Sequence, residues 1–427
     1  MANENFALSY APPRALERNF VAQLAFVALL LLVFVGLQPF SPPPGVSTFG
    51  GAAQTAQGDS LRQVLYLSVF AVIVLCAIQR RGLGAIQAIP ITLGLLLAWC
   101  CASALWAAEP GVALRRAGLE VVIVLSALLS VETIGSERAF FWWRVMLALI
   151  LVVNFASIPF IPTARHLAGE VDGALVGNWR GLYGHKNIAG AISAITALTF
   201  LFSRNGWRNW LGIVIAIAAI VFLVMTRSKT SLGLLPLAIA AGILYRFGWR
   251  DSLSRAVVTA AAVLLLAALA SIAAFDSDAI AHALEDPTEF TGRSAIWAAE
   301  LSYIRDHLFL GSGFGTFADT GGISPLHGYI SGHWVEEVSH GHNGYLQLTV
   351  TIGAVGAVLA FVALILKPLR SFWTLDWRGD AFKPLLFALF AFLVLHNFME
   401  SDFLEGDAPT WVAFLFLLAG LRALELA

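Results

Sequence analysis

The sequence predicts an all-α protein: a polytopic transmembrane bundle of about twelve helices, with one long outside loop that carries amphipathic helices. Three observations predict it. Of 427 residues, 59% are hydrophobic and only 12% charged, where a soluble domain carries about a quarter. Apolar stretches of about 20 residues, the length of a membrane crossing, recur along almost the whole chain. The segments between them alternate in positive charge, as the two sides of a membrane require.

The apolar stretches centre on residues 20–37, 63–79, 88–106, 117–134, 140–160, 188–203, 210–225, 231–246, 256–275, 344–366, 382–398 and 408–425. The first follows Arg14 and Arg18 as a signal peptide would. It is nevertheless long enough to cross the membrane, and Gln38-Pro39-Phe40-Ser41-Pro42 lacks a small-residue cleavage site, so an uncleaved span is expected. The fourth is the weakest, because Glu120 falls in its first predicted turn. Cys76, Cys100 and Cys101 lie inside apolar helices and read as buried thiols, not as a disulfide framework. A net charge of -1 argues against a nucleic-acid partner.

Arg80, Arg81, Arg138, Arg204, Arg208, Arg246, Arg250, Arg255, Lys367, Arg370, Arg378 and Lys383 fall in alternate loops. With Arg14, Arg18 and Arg422 they place both termini in the cytoplasm. The long loop 276–341 then faces outside and is acidic, with Asp276, Asp286, Glu336 and Glu337 among its carboxylates. Arg165, Arg180, Lys186, Arg227, Lys229, Arg293 and Arg305 break the pattern by lying outside. For Arg165 and Arg305, snorkelling to headgroup phosphates is reason enough. For the others, an anionic ligand at the outer face is the better reason.

Four outside segments concentrate polar residues. Gly177 to Asn187 leads into the sixth helix, where Asn187 can cap free N–H groups that suit an anion. Thr226-Arg227-Ser228-Lys229-Thr230-Ser231 is a tight turn with two cations and four hydroxyls, a donor set for a diphosphate. In the long loop, Arg293 precedes a helical pattern over 294–305 with apolar residues at 296, 297, 301 and 304, expected to lie on the membrane. Gly311, Gly313 and Gly315 follow it; no strand precedes them, so they predict a sharp turn and not a nucleotide loop. Last, His340-Gly341-His342-Asn343 stands before the tenth helix and offers a side chain that can exchange a proton near neutral pH. No cysteine or spaced carboxylate accompanies it, so neither a metal nor any other cofactor is expected. A further patch, His396 to Asp402, places Glu400 where it could hold an Arg or orient a His.

At these residues the chain resembles the O-antigen ligase and polysaccharide polymerase superfamily of bacterial inner-membrane proteins. Ligases of that family carry His, then Asn, Ser or Gln, nine residues, Gly, two residues, and Gly, Thr or Tyr. His342-Asn343, Gly353, Ala354, Val355 and Gly356 satisfy that pattern. The stretch from Arg293 through Trp297 to Gly315 looks like the family's loop, and Ser228-Lys229 stands where the family has Ser-Arg. The lysine keeps the charge but gives up bidentate phosphate contact. The resemblance divides the chain into transmembrane helices 1–176 and a ligase- or polymerase-like region 177–427, and Gly184-His185-Lys186-Asn187 looks most like exopolysaccharide-making members.

The resemblance implies a metal-independent glycosyltransferase at the periplasmic face of the inner membrane. It would move glycan from an undecaprenyl-diphosphate carrier to an acceptor sugar hydroxyl, with a chain-length regulator as a further candidate partner. His342 would be the base; Arg293 and Lys229 would steady the leaving diphosphate; Arg180, Lys186, Asn187, Arg227, Asn343 and Glu400 would bind substrate. Polymerase is the first expectation and ligase the second. A transporter or flippase is the rival of another class, but no internal repeat is evident and the charges gather at one face rather than at the midplane.

Overall fold

The computed structural model describes residues 13–41, 59–168, 173–202, 210–248, 293–318, 320, 324–330, 341–374 and 382–426. The expected ninth span 256–275, His340 and nearly half of the loop 276–341 lie outside the described residues. Every described element is helical. In chain order they are α1 (Pro13–Phe34), α2 (Ser60–Arg81), α3 (Ile91–Ala102), α4 (Pro110–Ile134), α5 (Ser136–Phe160), α6 (Lys186–Leu201), α7 (Trp210–Thr226) and α8 (Lys229–Gly248). Then follow α9 (Arg293–Asp306), α10 (Gly344–Ala360), a π-helical turn into α11 (Lys367–Thr374), α12 (Phe382–His396) and α13 (Pro409–Leu426). Among them, six helical stretches are long and apolar enough to cross a membrane, and five shorter apolar helices accompany them. The chain is therefore a multi-pass membrane protein.

Without a hydrophobic force between helices in lipid, close packing and internal hydrogen bonds must hold the bundle. α6 meets this need with small residues. Ala189, Gly190, Ala191, Ala194 and Ala197 are buried, and α7 and α8 pack on them. Its hydroxyls turn back on its own carbonyls, Ser193 to Ala189, Thr196 to Ile192 and Thr199 to Ile195, so none is left unsatisfied. Aromatic rings fill the larger gaps: Phe26 meets Phe416 at 5.3 Å, and Trp143 meets Phe34 at 5.1 Å and Phe416 at 5.4 Å, all edge to face.

The fourth span is longer than its pattern suggested. α4 begins at Pro110, a favoured first helical residue, so Glu120 lies well inside the helix and not in its first turn. Its burial is tolerated because Trp411 Nε1 on α13 donates to one carboxyl oxygen at 2.6 Å and the Gly406 N–H to the other at 2.9 Å.

α9 forms where the pattern placed it, but it is not simply laid on a membrane surface. Its buried face is Ser294, Ile296, Ala299, Glu300 and Tyr303, while Leu301 is exposed. Ala299 and Tyr303 join Phe317, Ala318, Leu326 and Val350 in a small core of their own. The helix is held by the protein because its loop supplies enough apolar surface to cover it.

α10 is broken at Gly353, whose φ of +67° no other residue adopts cheaply. In lipid, the groups freed by a break must find partners. Here the segment after α9 supplies them. Ala354 N–H donates to the Leu308 carbonyl at 2.7 Å, and the Val350 and Thr351 carbonyls accept from Ser312 and Gly313 N–H at 2.9 Å each. Trp99 Nε1 on α3 reaches the Ile352 carbonyl at 2.9 Å. Gly311, Gly313 and Gly315 all take positive φ, which is the sharp turn the sequence suggested, and its sides are pinned by Trp106 to Leu310 and Ser103 to Phe314. A Cβ at 353 would stand 2.1 Å from the Phe309 carbonyl oxygen. Gly353→Ala should therefore cost about 1–3 kcal/mol in backbone strain and a similar amount in overpacking, read as a lower unfolding temperature in detergent.

Candidate active site

The site is built on the segment between α12 and α13. His396 ends α12, and Asn397 folds the chain back by accepting the Asp402 and Phe403 N–H groups on its side-chain oxygen at 3.0 Å each. The turn this makes presents carbonyls outward. Gly344 N–H, at the start of α10, donates to the Asn397 carbonyl at 2.8 Å and to the Glu400 carbonyl at 3.1 Å. Asn343 caps α10 through the Tyr345 and Leu346 N–H groups, and its amide donates to the Phe398 carbonyl at 3.2 Å. Arg293, the first residue of α9, donates to the Met399 carbonyl.

The Glu400 side chain is where these elements converge. One carboxyl oxygen accepts from Asn187 Nδ2 at 2.7 Å and from Arg293 Nη2 at 3.0 Å. The other faces His342 Nδ1 at 3.1 Å. Three helix starts, those of α6, α9 and α10, thus meet on one carboxylate. Burial by itself would raise the pKa of Glu400; the bond to His342 and the Arg293 charge outweigh that and bring it down to about 2. The carboxylate is therefore ionised at any physiological pH. His342 is itself held at φ +53°, a strained conformation for a residue with a side chain, and its imidazole keeps 29% exposure. Strain, a satisfied anion and partial exposure together suit a group aimed at a ligand.

Beside Asn187, Lys186 Nζ donates to the Arg227 carbonyl at 3.4 Å and ties α6 to the turn between α7 and α8. Arg227 takes φ +52° and is exposed, as is Lys229. Ser228 between them is buried against Gly190 of α6, where a Cβ would come 2.6 Å from Ser228 Cβ. Below the turn a line of hydrogen bonds runs from Ser228 Oγ to Ser231 Oγ at 3.3 Å and to His396 Nε2 at 3.4 Å. His396 Nδ1 meets Asp402 at 2.6 Å, and Thr410 donates to the same carboxylate at 2.7 Å. The cation turn and the Glu400 segment rest on one buried polar frame.

Arg180 takes a different place. It is fully buried, and its guanidinium donates to the Thr163 carbonyl at 2.7 Å and the Gly184 carbonyl at 2.8 Å, bracing the loop that delivers Lys186 and Asn187. Arg165 bonds the Ile158 carbonyl at the end of α5. His185 caps α6 through the Asn187 N–H at 3.2 Å. Its burial, with His166, His342 and Lys186 nearby, brings its pKa down to about 4 against the pull of Glu400, so it stays neutral and can accept that bond.

His342, Arg293, Asn187 and Glu400 are directly bonded together; Asn343 shapes the same segment; Lys186, Arg227 and Lys229 line the adjoining turn. Sequence reasoning passed over Asn397, Asp402, His396 and His185 as site residues, although one His, one Asn and two carboxylates within 396–402 were a usable signal. Among the described residues, no three of His, Cys, Asp and Glu gather as they would around a metal ion.

No curated protein matches the chain. Residues 214–361, which carry most of α7, the cation turn, α8, Arg293, His342 and all of α10, match the family described as O-antigen ligase. Over those residues this multi-pass membrane chain is similar to the O-antigen ligase family.

Proposed function

We propose that the chain transfers a glycan from an undecaprenyl-diphosphate carrier to a sugar hydroxyl at the periplasmic face of the bacterial inner membrane, acting first as a polymerase. The observation that carries this reading is the Glu400 carboxylate, shared by His342, Arg293 and Asn187. An ionised Glu400 makes His342 Nδ1 the protonated, donating nitrogen, so Nε2 is the atom that takes the acceptor's proton. The acceptor oxygen then bonds to the anomeric carbon while the bond from that carbon to the diphosphate oxygen breaks. The leaving diphosphate departs with the electron pair, and Lys186, Arg227, Lys229 and Arg293 neutralise it. Asn187 and Asn343 hold the walls of the site, and Arg180 positions the loop that carries Lys186. With so many cations at hand the transfer is expected to need no metal.

Both termini would face the cytoplasm, as the positive-inside distribution requires. The bilayer, the lipid-linked oligosaccharide and the acceptor glycan would be its partners, together with a chain-length regulator.

A ligase acting on a lipid-anchored core is the second reading, favoured by the description of the matched family. It differs in the acceptor alone. A strain lacking the protein separates the two through its accumulated lipid-linked glycans. Single repeat units on the carrier, cleared by wild type and not by His342→Ala, are expected for the polymerase; long chains on the carrier would mean a ligase. Full complementation by His342→Ala would sink both.

A further inference from the structure

One buried ionisable group has no part in the chemistry above. Glu300 lies on α9 two helical turns from Arg293, on the same face as Arg293 and Trp297. It is fully buried, and among the described residues neither carboxyl oxygen has a hydrogen-bond partner. Its carboxyl rests on Gly341, the residue before His342: a Cβ on Gly341 would meet its oxygens at 2.0 and 2.7 Å. The rest of Gly341 is held as firmly. Its N–H donates to Gln347 Oε1 at 3.3 Å, and its carbonyl accepts from Trp297 Nε1 at 2.8 Å.

We propose that Glu300, as an uncharged carboxylic acid, is a positioning residue for His342: packed on Gly341, it helps hold the imidazole on Glu400, and its ionisation releases that hold. An unpaired buried carboxyl destabilises a protein, and an apolar side chain would fill the same space without that cost. What an apolar side chain lacks is a second charge state.

Among the described residues, the titratable groups on α9 and on the elements packed against it are Arg293, Tyr303, Arg305 and Asp306 on α9, His342 and Tyr345 at the start of α10, and His327 and Tyr329 at the turn 325–330. None of these sets its ionisation; burial does, pushing the carboxyl from 4.5 up to about 8. Above that pH a carboxylate facing Gly341 has no donor to pair with among the described residues. It must draw in water or move, and either displaces the strained Gly341–His342 joint. The sign for stability follows. Between 4.5 and about 8 the folded chain holds a proton that the unfolded chain has released, so Glu300 lowers stability as pH rises through that window.

The inference rests on His342 being the base, so its test has one arm that needs no transfer activity. Full-length protein in detergent is labelled with diethyl pyrocarbonate from pH 6 to 9.5, and modification of His342 is read by mass spectrometry. Wild type should show an added rise in labelling between pH 7.5 and 9; Glu300→Gln and Glu300→Met, uncharged at every pH, should lack it. The second arm measures transfer from lipid-diphosphate-linked glycan as the ratio of rates at pH 9 and pH 7. That ratio should be at least fivefold higher in both variants than in wild type. Equal labelling profiles in wild type and both variants overturn the positioning role. Absence of transfer by wild type at every pH, with the labelling difference intact, overturns the function reading and leaves the hold on His342 standing.

Discussion

His342→Ala is expected to lower glycan transfer by roughly 100- to 10,000-fold, the range that a positioned general base contributes. The loss should fall on turnover more than on binding, because the imidazole meets the acceptor hydroxyl only as it gives up its proton. Stability should fall by about 1–3 kcal/mol, because one oxygen of the buried Glu400 carboxylate loses its partner. Rates on purified lipid-linked substrate, alongside thermal unfolding of the same preparations, check both halves. A full-length, folded His342→Ala protein with wild-type turnover would remove His342 from the chemistry.

The second large effect is expected from Glu400→Gln, a change of one atom. The carboxylate accepts on both oxygens, from Asn187 and Arg293 on one and facing His342 on the other. A glutamine keeps one acceptor. If its oxygen stays with Asn187 and Arg293, its NH₂ points at His342 Nδ1 and can only donate. The imidazole must then carry its proton on Nε2, and the base is lost. A drop on the order of 100- to 10,000-fold is expected, as for other orienting carboxylates. Acid stability gives an independent check. Because Glu400 is held at about 2, its ionised form stabilises the fold above pH 4.5, and that contribution is lost as pH falls towards 2. Glu400→Gln should therefore unfold less steeply with acid across that window, while being less stable at neutral pH.

Much of the architecture was legible because membrane spans follow length and hydropathy, which are local properties. The start of α10 was legible for a similar reason: His342, Asn343 and the glycine at 353 lie within one short stretch. What was not legible depends on how the chain folds back. Asn187 and Glu400 are 213 residues apart in sequence, and nothing local says that α6 will start beside the segment after α12. Arg180 illustrates the converse. A cation among glycines on an outside loop has the composition of a ligand site, yet the loop turns it inward to its own carbonyls. Glu120 looked like a threat to the fourth span, because the tryptophan that pairs with it, Trp411, comes 291 residues later. Nothing local marks Glu300 as buried; its carboxyl packs on Gly341, which only the fold brings near.

The break in α10 gives the spacing of the histidine motif a mechanical meaning. Nine residues separate Asn343 from Gly353, and at about 1.5 Å per residue they make a rod about 15 Å long between the helix cap and the break. The cap fixes the upper end at the Glu400 segment, and the turn after α9 fixes the lower end at Gly353. The motif is a ruler, cut to the distance between two docking points that belong to other parts of the chain. One residue added within it would rotate the lower end by about 100° and draw Gly353 away from the Phe309 carbonyl. A residue added beyond the break would leave the distance from His342 to that docking point untouched.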